Sequence, residues 1–180
     1  MGNLSTLANL KGYLGKKPDS VSEDELLERL LAASSTFLLG LMERDGITSQ
    51  AYTEYRSGNG SHRLATRNSP VTAVTVVMVD SLEIPASAVT FNGSFIYLKN
   101  GYRFTSGWNN VLMVYTAGLA TVPADLDQLC IELAALRYKE RDRLGETSKN
   151  IAGQVVSYSQ RDLPVWGRPV VDRYKRVVPL

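Results

Sequence analysis

The sequence predicts an α+β fold: a helical bundle with an inserted antiparallel β domain and an extended C-terminal arm. Three observations lead there. Apolar residues recur at helical spacing on both sides of a central region whose period shortens to two. Asn-Gly turn dipeptides fall only in that central region, and prolines at 164, 169 and 179 interrupt the end of the chain. The expected divisions are 1–49 for the N-terminal helices of the bundle, 50–118 for the β insertion, 119–153 for a long helix completing the bundle, and 154–180 for the arm.

Ser5–Leu14 reads as a short helix with Leu7, Leu10 and Leu14 on one face, ended by Gly15 and Pro18. Ser22-Glu-Asp-Glu25 has the spacing of a capping box, and Val21 and Leu26 stand where a hydrophobic staple is expected. The stripe Leu27, Leu30, Leu31, Phe37, Leu38, Leu41 continues that helix toward Gly46. The acids 23–25 suit the positive end of a helix dipole better than a metal ion.

From Ile47 the residues alternate. Segments 51–56 and 62–67 flank Ser57-Gly-Asn-Gly-Ser61 and predict a hairpin. Val71–Val79 is rich in β-branched residues and is the strongest strand signal. Asn92-Gly93 and Asn100-Gly101 mark turns around Phe95–Lys99, and Val111–Gly118 closes the region. Trp108 is expected to pack over the β insertion.

The long helix is expected from Pro123 to Gly145, about 21 residues and roughly 30 Å. Proline is tolerated in a first turn, Asp125 and Asp127 suit the N-terminal dipole, and Arg137, Lys139, Arg141 and Arg143 suit the C-terminal one. Leu126, Leu129, Cys130, Leu133 and Leu136 form its apolar stripe. The alternating signs of Arg137, Lys139, Glu140, Arg141, Asp142 and Arg143 suggest a contact between subunits.

The 180 residues suit one domain or one domain with a large insertion, and 44% hydrophobic content supports a core. One cysteine excludes an internal disulfide, and one histidine excludes a Cys/His zinc site. Cys130 reads as a buried small hydrophobe. No apolar run approaches the roughly 18 residues of a membrane span, so a soluble cytoplasmic product without membrane contact is expected. The net charge of +2 is uneven: 1–136 carry 10 Lys/Arg against 13 Asp/Glu, and 137–180 carry 10 against 5. A basic final third suits an acidic partner surface or nearby nucleic acid. Gly58-Asn-Gly60 lacks the Lys-Ser/Thr of a phosphate loop, and spacing suggests no carboxylate to orient His62. No enzyme and no cofactor are expected.

The run P-A-D-L…L-A-A-L-R-Y-K-E-R…G-E-T-S-K-N-I-A-G-Q-V-V-S-Y-S, and the opening L-K-G-Y-L-G…S-E-D-E-L-L-E-R-L-L-A-A-S, resemble the ring-forming head–tail connector (adaptor) proteins of tailed bacteriophages. The resemblance implies a structural head-completion protein, made in the host cytoplasm and placed in the virion neck. It implies a homo-oligomeric ring, twelve-fold by analogy, under the portal protein, with DNA passing through in weak non-specific contact. It implies a docking surface for the stopper or tail-completion protein. The arm would then contact the portal through Val155, Val156 and Tyr158 as an added strand. Pro164 would stiffen it, Trp166, Val170 and Tyr174 would serve as apolar anchors, and Arg168 and Arg176 would meet carboxylates. Another neck or tail-completion protein is an alternative. A nucleic-acid-binding module is a weaker one, because the strands hold no run of Lys/Arg among aromatics.

Overall fold

The computed structural model describes residues 2–141, 148–151, 154–157 and 163–176. It divides into two compact units, a helical one formed by Met1–Asp45 with Val122–Lys175 and a β unit of Gly46–Thr121.

In the helical unit, α1 (Leu7–Tyr13) starts at Thr6, whose hydroxyl accepts the Asn9 N–H at 3.2 Å. Helix α2 spans Asp24–Leu41 and α3 spans Ala124–Glu140, with Pro123 as its N-cap. The predicted stripes meet: Leu27, Leu31, Leu38 and Leu39 are buried with Leu126, Leu129, Cys130 and Leu133. The small Ser35 permits close approach, and its hydroxyl lies 3.3 Å from the Cys130 thiol while accepting the Leu4 N–H at 3.0 Å. Burial pushes the Cys130 thiol above its ordinary range, so it stays protonated and inert.

The capping box does not form. Helix α2 begins at Asp24 with Glu23 at its N-cap and no side-chain cap bond. Glu23 and Asp24 serve other elements instead. Glu23 accepts from the Tyr138 hydroxyl at 2.7 Å and pairs with Lys16, and Asp24 accepts from the buried Lys11 at 2.8 Å. Val21 is 74% exposed, so the staple is absent too.

The C-terminal stretch departs from an extended course. Gly167–Tyr174 is helix α4, with Val170 and Val171 buried, and it packs against α3. Pro169 lies in its first turn, where a missing N–H costs nothing, so proline content there reads as a helix start. Strands β8 (Ser148–Ile151) and β9 (Gln154–Ser157) form a two-stranded hairpin in the register Lys149↔Val156 and Asn150↔Val155.

The β unit is two antiparallel sheets on one core. The first has the order β1-β7-β3-β4, from β1 (Gln50–Gly58), β3 (Val71–Val79), β4 (Leu82–Glu83) and β7 (Gly107–Ala117). The second has the order β2-β6-β5, from β2 (Arg63–Ala65), β5 (Val89–Asn92) and β6 (Phe95–Leu98). Val77, Val111, Met113 and Tyr115 of one sheet share the core with Leu64, Ile96 and Leu98 of the other. The expected hairpin across 57–61 is not made. Strand β1 pairs with β7 (Tyr52↔Tyr115, Glu54↔Met113) and β2 pairs with β6, because alternation fixes the buried face but not the neighbour. The turns at Asn92-Gly93 and Asn100-Gly101 are present, with φ of +57° at Gly93 and +84° at Gly101.

Candidate interaction surfaces

Two parts of the molecule present side chains that its own packing leaves available. The first is the C-terminal stretch of the helical unit. Trp166 precedes α4, is 40% exposed, and donates its indole N–H to Glu132 of α3 at 3.2 Å. A Cβ on Gly167 would stand 2.7 Å from Leu163 and 2.8 Å from Leu129, so glycine sets how closely α4 lies on α3. Val170 is buried, so it anchors the stretch to its own subunit. Tyr174 donates its hydroxyl to Asp125 at 3.0 Å, and its carbonyl accepts from Arg44 Nε at 2.6 Å. Arg173 pairs with the same Asp125 at 2.9 Å, and Lys175 with Glu43 at 3.0 Å. Asp125, read from sequence as a helix-dipole residue, thus also receives the C-terminal helix.

Outward, Val165 and Arg168 are exposed, with Arg168 3.5 Å from Asp172 one turn on. Pro164 offers its carbonyl to the Gly167 N–H at 2.9 Å, and Arg176, just beyond α4, is half-buried. Val155 and Val156 lie in β9; Tyr158 and Arg143 lie outside the described residues.

The described basic residues at the end of α3 differ in their surroundings. Arg137 turns toward α2, reaching Ser34 Oγ at 3.3 Å and lying 5.2 Å over the Phe37 ring. Arg141 lies 3.9 Å over the Tyr138 ring and 3.6 Å from Glu23. Lys139 is exposed. Hydrogen bonds from Lys16 and then Tyr138 hold the Glu23 carboxyl below its ordinary range.

The second surface is in the β unit. Trp108 is 91% exposed, not packed over the sheet as expected. Its mount is stiff. Asn110 donates to Asp80 at 2.9 Å and to the Thr105 carbonyl at 3.0 Å, while accepting the Gly58 N–H at 2.9 Å. Thr105 donates to the same Asp80, whose carboxyl these bonds hold below its ordinary range. Asn109, at φ +53°, donates its N–H to Ser57 Oγ at 3.0 Å. Nearby Tyr55, Met78, Leu112 and Asp80 line a cavity of about 500 Å³. Sequence reading missed this because an Asn at positive φ inside a strand, which re-aims its neighbour, leaves no periodic signal.

Among the described residues no group of three or more His, Cys, Asp or Glu is placed to hold a metal, and no helix is long and apolar enough to cross a membrane.

Three solved chains share the fold. One is in the neck of an empty gene transfer agent (GTA) particle computed with C6 symmetry: 19% identity over 97% of this chain and 90% of that one, TM-score 0.61. A second is in the neck of the native particle computed with C12 symmetry: 16% identity, the same coverage, TM-score 0.57. A third is in the native virion: 19% identity, again 97% and 90%, TM-score 0.54. No curated protein matches the chain. The head completion protein family model matches residues 3–177, nearly the whole sequence, and the chain belongs to that family.

Proposed function

We propose that this head completion protein is a structural component of the particle neck, forming a ring under the portal around the DNA channel and presenting a surface to the stopper or tail. The single observation carrying this is the family match over residues 3–177. The fold shared with neck chains determined under six- and twelve-fold symmetry supports a ring, twelve-fold by that analogy. No reaction is assigned to it. Duplex DNA passing through such a ring contacts it weakly, since each neutralised phosphate would strengthen a grip that passage must avoid.

The C-terminal stretch is the portal contact in this reading, and its side chains divide the work. Val170, Tyr174 and Arg173 hold α4 to α3, leaving Trp166, Val165 and Arg168 outward. Strand β9, with Val155 and Val156, supplies main-chain groups to a partner sheet edge. Arg137, Lys139 and Arg141 line the contact between copies, with Lys139 the most available.

Mass measurement and imaging of the purified protein with and without portal test the assembly; one or two copies per portal ring would overturn it. Deleting residues 160–180 tests the arm. Lost portal binding with unchanged melting supports docking. A large drop in melting temperature with portal binding retained makes the stretch a stabilising clasp.

A further inference from the structure

We infer that the outer face of the three-stranded sheet is a stacking surface for unpaired bases of a single-stranded nucleic acid. In β6 the side chains alternate: Ile96 and Leu98 are buried in the core, so Phe95 and Tyr97 stand on the opposite face, half-exposed. Their rings lie 6.2 Å apart at 45°. His62 adds a third ring, 6.4 Å from Tyr97 at 36°. Arg63, paired with Tyr97 across the sheet, places its guanidinium 5.6 Å over Phe95. Thr90 and Asn92 of β5 pair with Tyr97 and Phe95 and border the rings with small polar groups. Phe95 and Tyr97 come from β6, whereas Arg63 opens β2 and His62 precedes it, far earlier in the chain, which is why no single run of basic and aromatic residues marks them in the sequence.

Charge points the same way. Residues 57–79 and 84–121, which include all three strands of this sheet, contain no Asp or Glu but do contain Arg63, Arg67, Lys99 and Arg103. The acids of the β unit lie elsewhere. Glu54 is buried under the Tyr115 hydroxyl, and Asp80 and Glu83 flank the β3–β4 turn of the other sheet. Neighbouring rings do stabilise sheets, but that role does not require the surrounding face to lack acids. An acid-free face with adjacent rings and a guanidinium suits a polyanion whose monomers are flat. Every base has a π-face, so such a surface is tolerant of sequence. A duplex hides those faces, so single strands are preferred. An acidic peptide would use the cations and leave the rings idle.

The test titrates the full-length protein with a fluorescein-labelled oligothymidylate of about 12 nucleotides, a blunt duplex of equal length, and polyglutamate as competitor, at low and physiological salt. The single strand is expected to bind about tenfold more tightly than the duplex, and Phe95→Leu or Tyr97→Leu to weaken it about tenfold. Arg63→Gln is expected to lower both affinity and its salt dependence, and Tyr55→Ala, on the other sheet, to change neither. Equal duplex binding, equal displacement by polyglutamate (an acidic protein surface as the partner), unaltered binding by the leucine variants, or no binding at low salt would each overturn the inference. If the leucine variants fail to fold, photo-cross-linking of the unmodified protein to a bromodeoxyuridine oligonucleotide decides: adducts on Phe95, Tyr97 or His62 support it, and adducts only elsewhere overturn it.

Discussion

Tyr115 donates its hydroxyl to a Glu54 carboxylate oxygen 2.6 Å away, inside the β unit, and the Arg67 N–H reaches that same oxygen at 3.0 Å. The Asn68 N–H in turn reaches the Tyr115 oxygen at 3.2 Å. The pair therefore fastens the segment before β3 to the middle of the first sheet.

Tyr115→Phe leaves a buried carboxylate short of its strongest donor and an N–H short of its acceptor. About 1–3 kcal/mol of stability should be lost, measurable by denaturant unfolding. Burial, then Glu54, raises the phenol far above its ordinary range. Its contribution is complete below the unfolded value of about 10 and falls as pH rises through and beyond it. The native protein should therefore weaken above about pH 10 more steeply than the Phe variant.

Glu23 behaves oppositely. Its lowered carboxyl stabilises the helical unit above the unfolded value of about 4.3, and that contribution disappears as pH falls through the depressed one. Glu23→Gln should lower the melting temperature at neutral pH and remove part of the acid sensitivity. Melting curves at pH 7 and pH 3 for both proteins check the sign, and added salt should narrow the difference.

Gly58 has no room for a side chain: a Cβ would lie 1.9 Å from the Thr105 carbonyl oxygen. Gly58→Ala must displace backbone and should cost about 3 kcal/mol or more. Thermal unfolding indistinguishable from that of the native protein would contradict this.

Val171 is buried where α4 meets α3, and Val171→Ala should cost on the order of 2 kcal/mol in the docking of that helix. Faster tryptic cleavage after Arg173 than in the native protein is the expected readout; the bond after Arg168 precedes Pro169 and resists trypsin.

Trp108→Ala should leave stability within about 0.5 kcal/mol, since the ring rests on nothing. If Trp108 meets a neck partner, the variant should assemble at least tenfold less tightly with neck components while melting normally.

The helices α2 and α3, strands β3, β6 and β7, and the buried Cys130 were legible in the sequence because each follows from a local period. The partners of β1 and β2 were not, since alternation says which face is buried and not which strand lies alongside. The capping box failed for a related reason: α2 starts at Asp24 with Glu23 as its N-cap, so Ser22 and Glu25 are not at the box positions, and Glu23 is held by Lys16 and Tyr138, partners a short motif cannot reveal. At the C-terminus, Pro169 carried two meanings, and only Asp125 and Leu129 on α3 select the helical one. The exposure of Trp108 depends on one Asn at positive φ.

The chain enters and leaves the β unit side by side. Thr48 bridges Leu119, the Ser49 N–H reaches the Leu119 carbonyl at 2.8 Å, and the Leu119 N–H reaches Ile47 at 2.9 Å. Once this bridge has formed, the intervening residues no longer act as a long loop between α2 and α3. The entropy of bringing those two helices together becomes that of a connection about a dozen residues long. The order of folding is thereby favoured: the β unit first, then rapid helix pairing, with a low effective contact order for a contact distant in sequence. Lengthening or shortening strands away from this bridge should accordingly leave the rate of helix pairing unchanged.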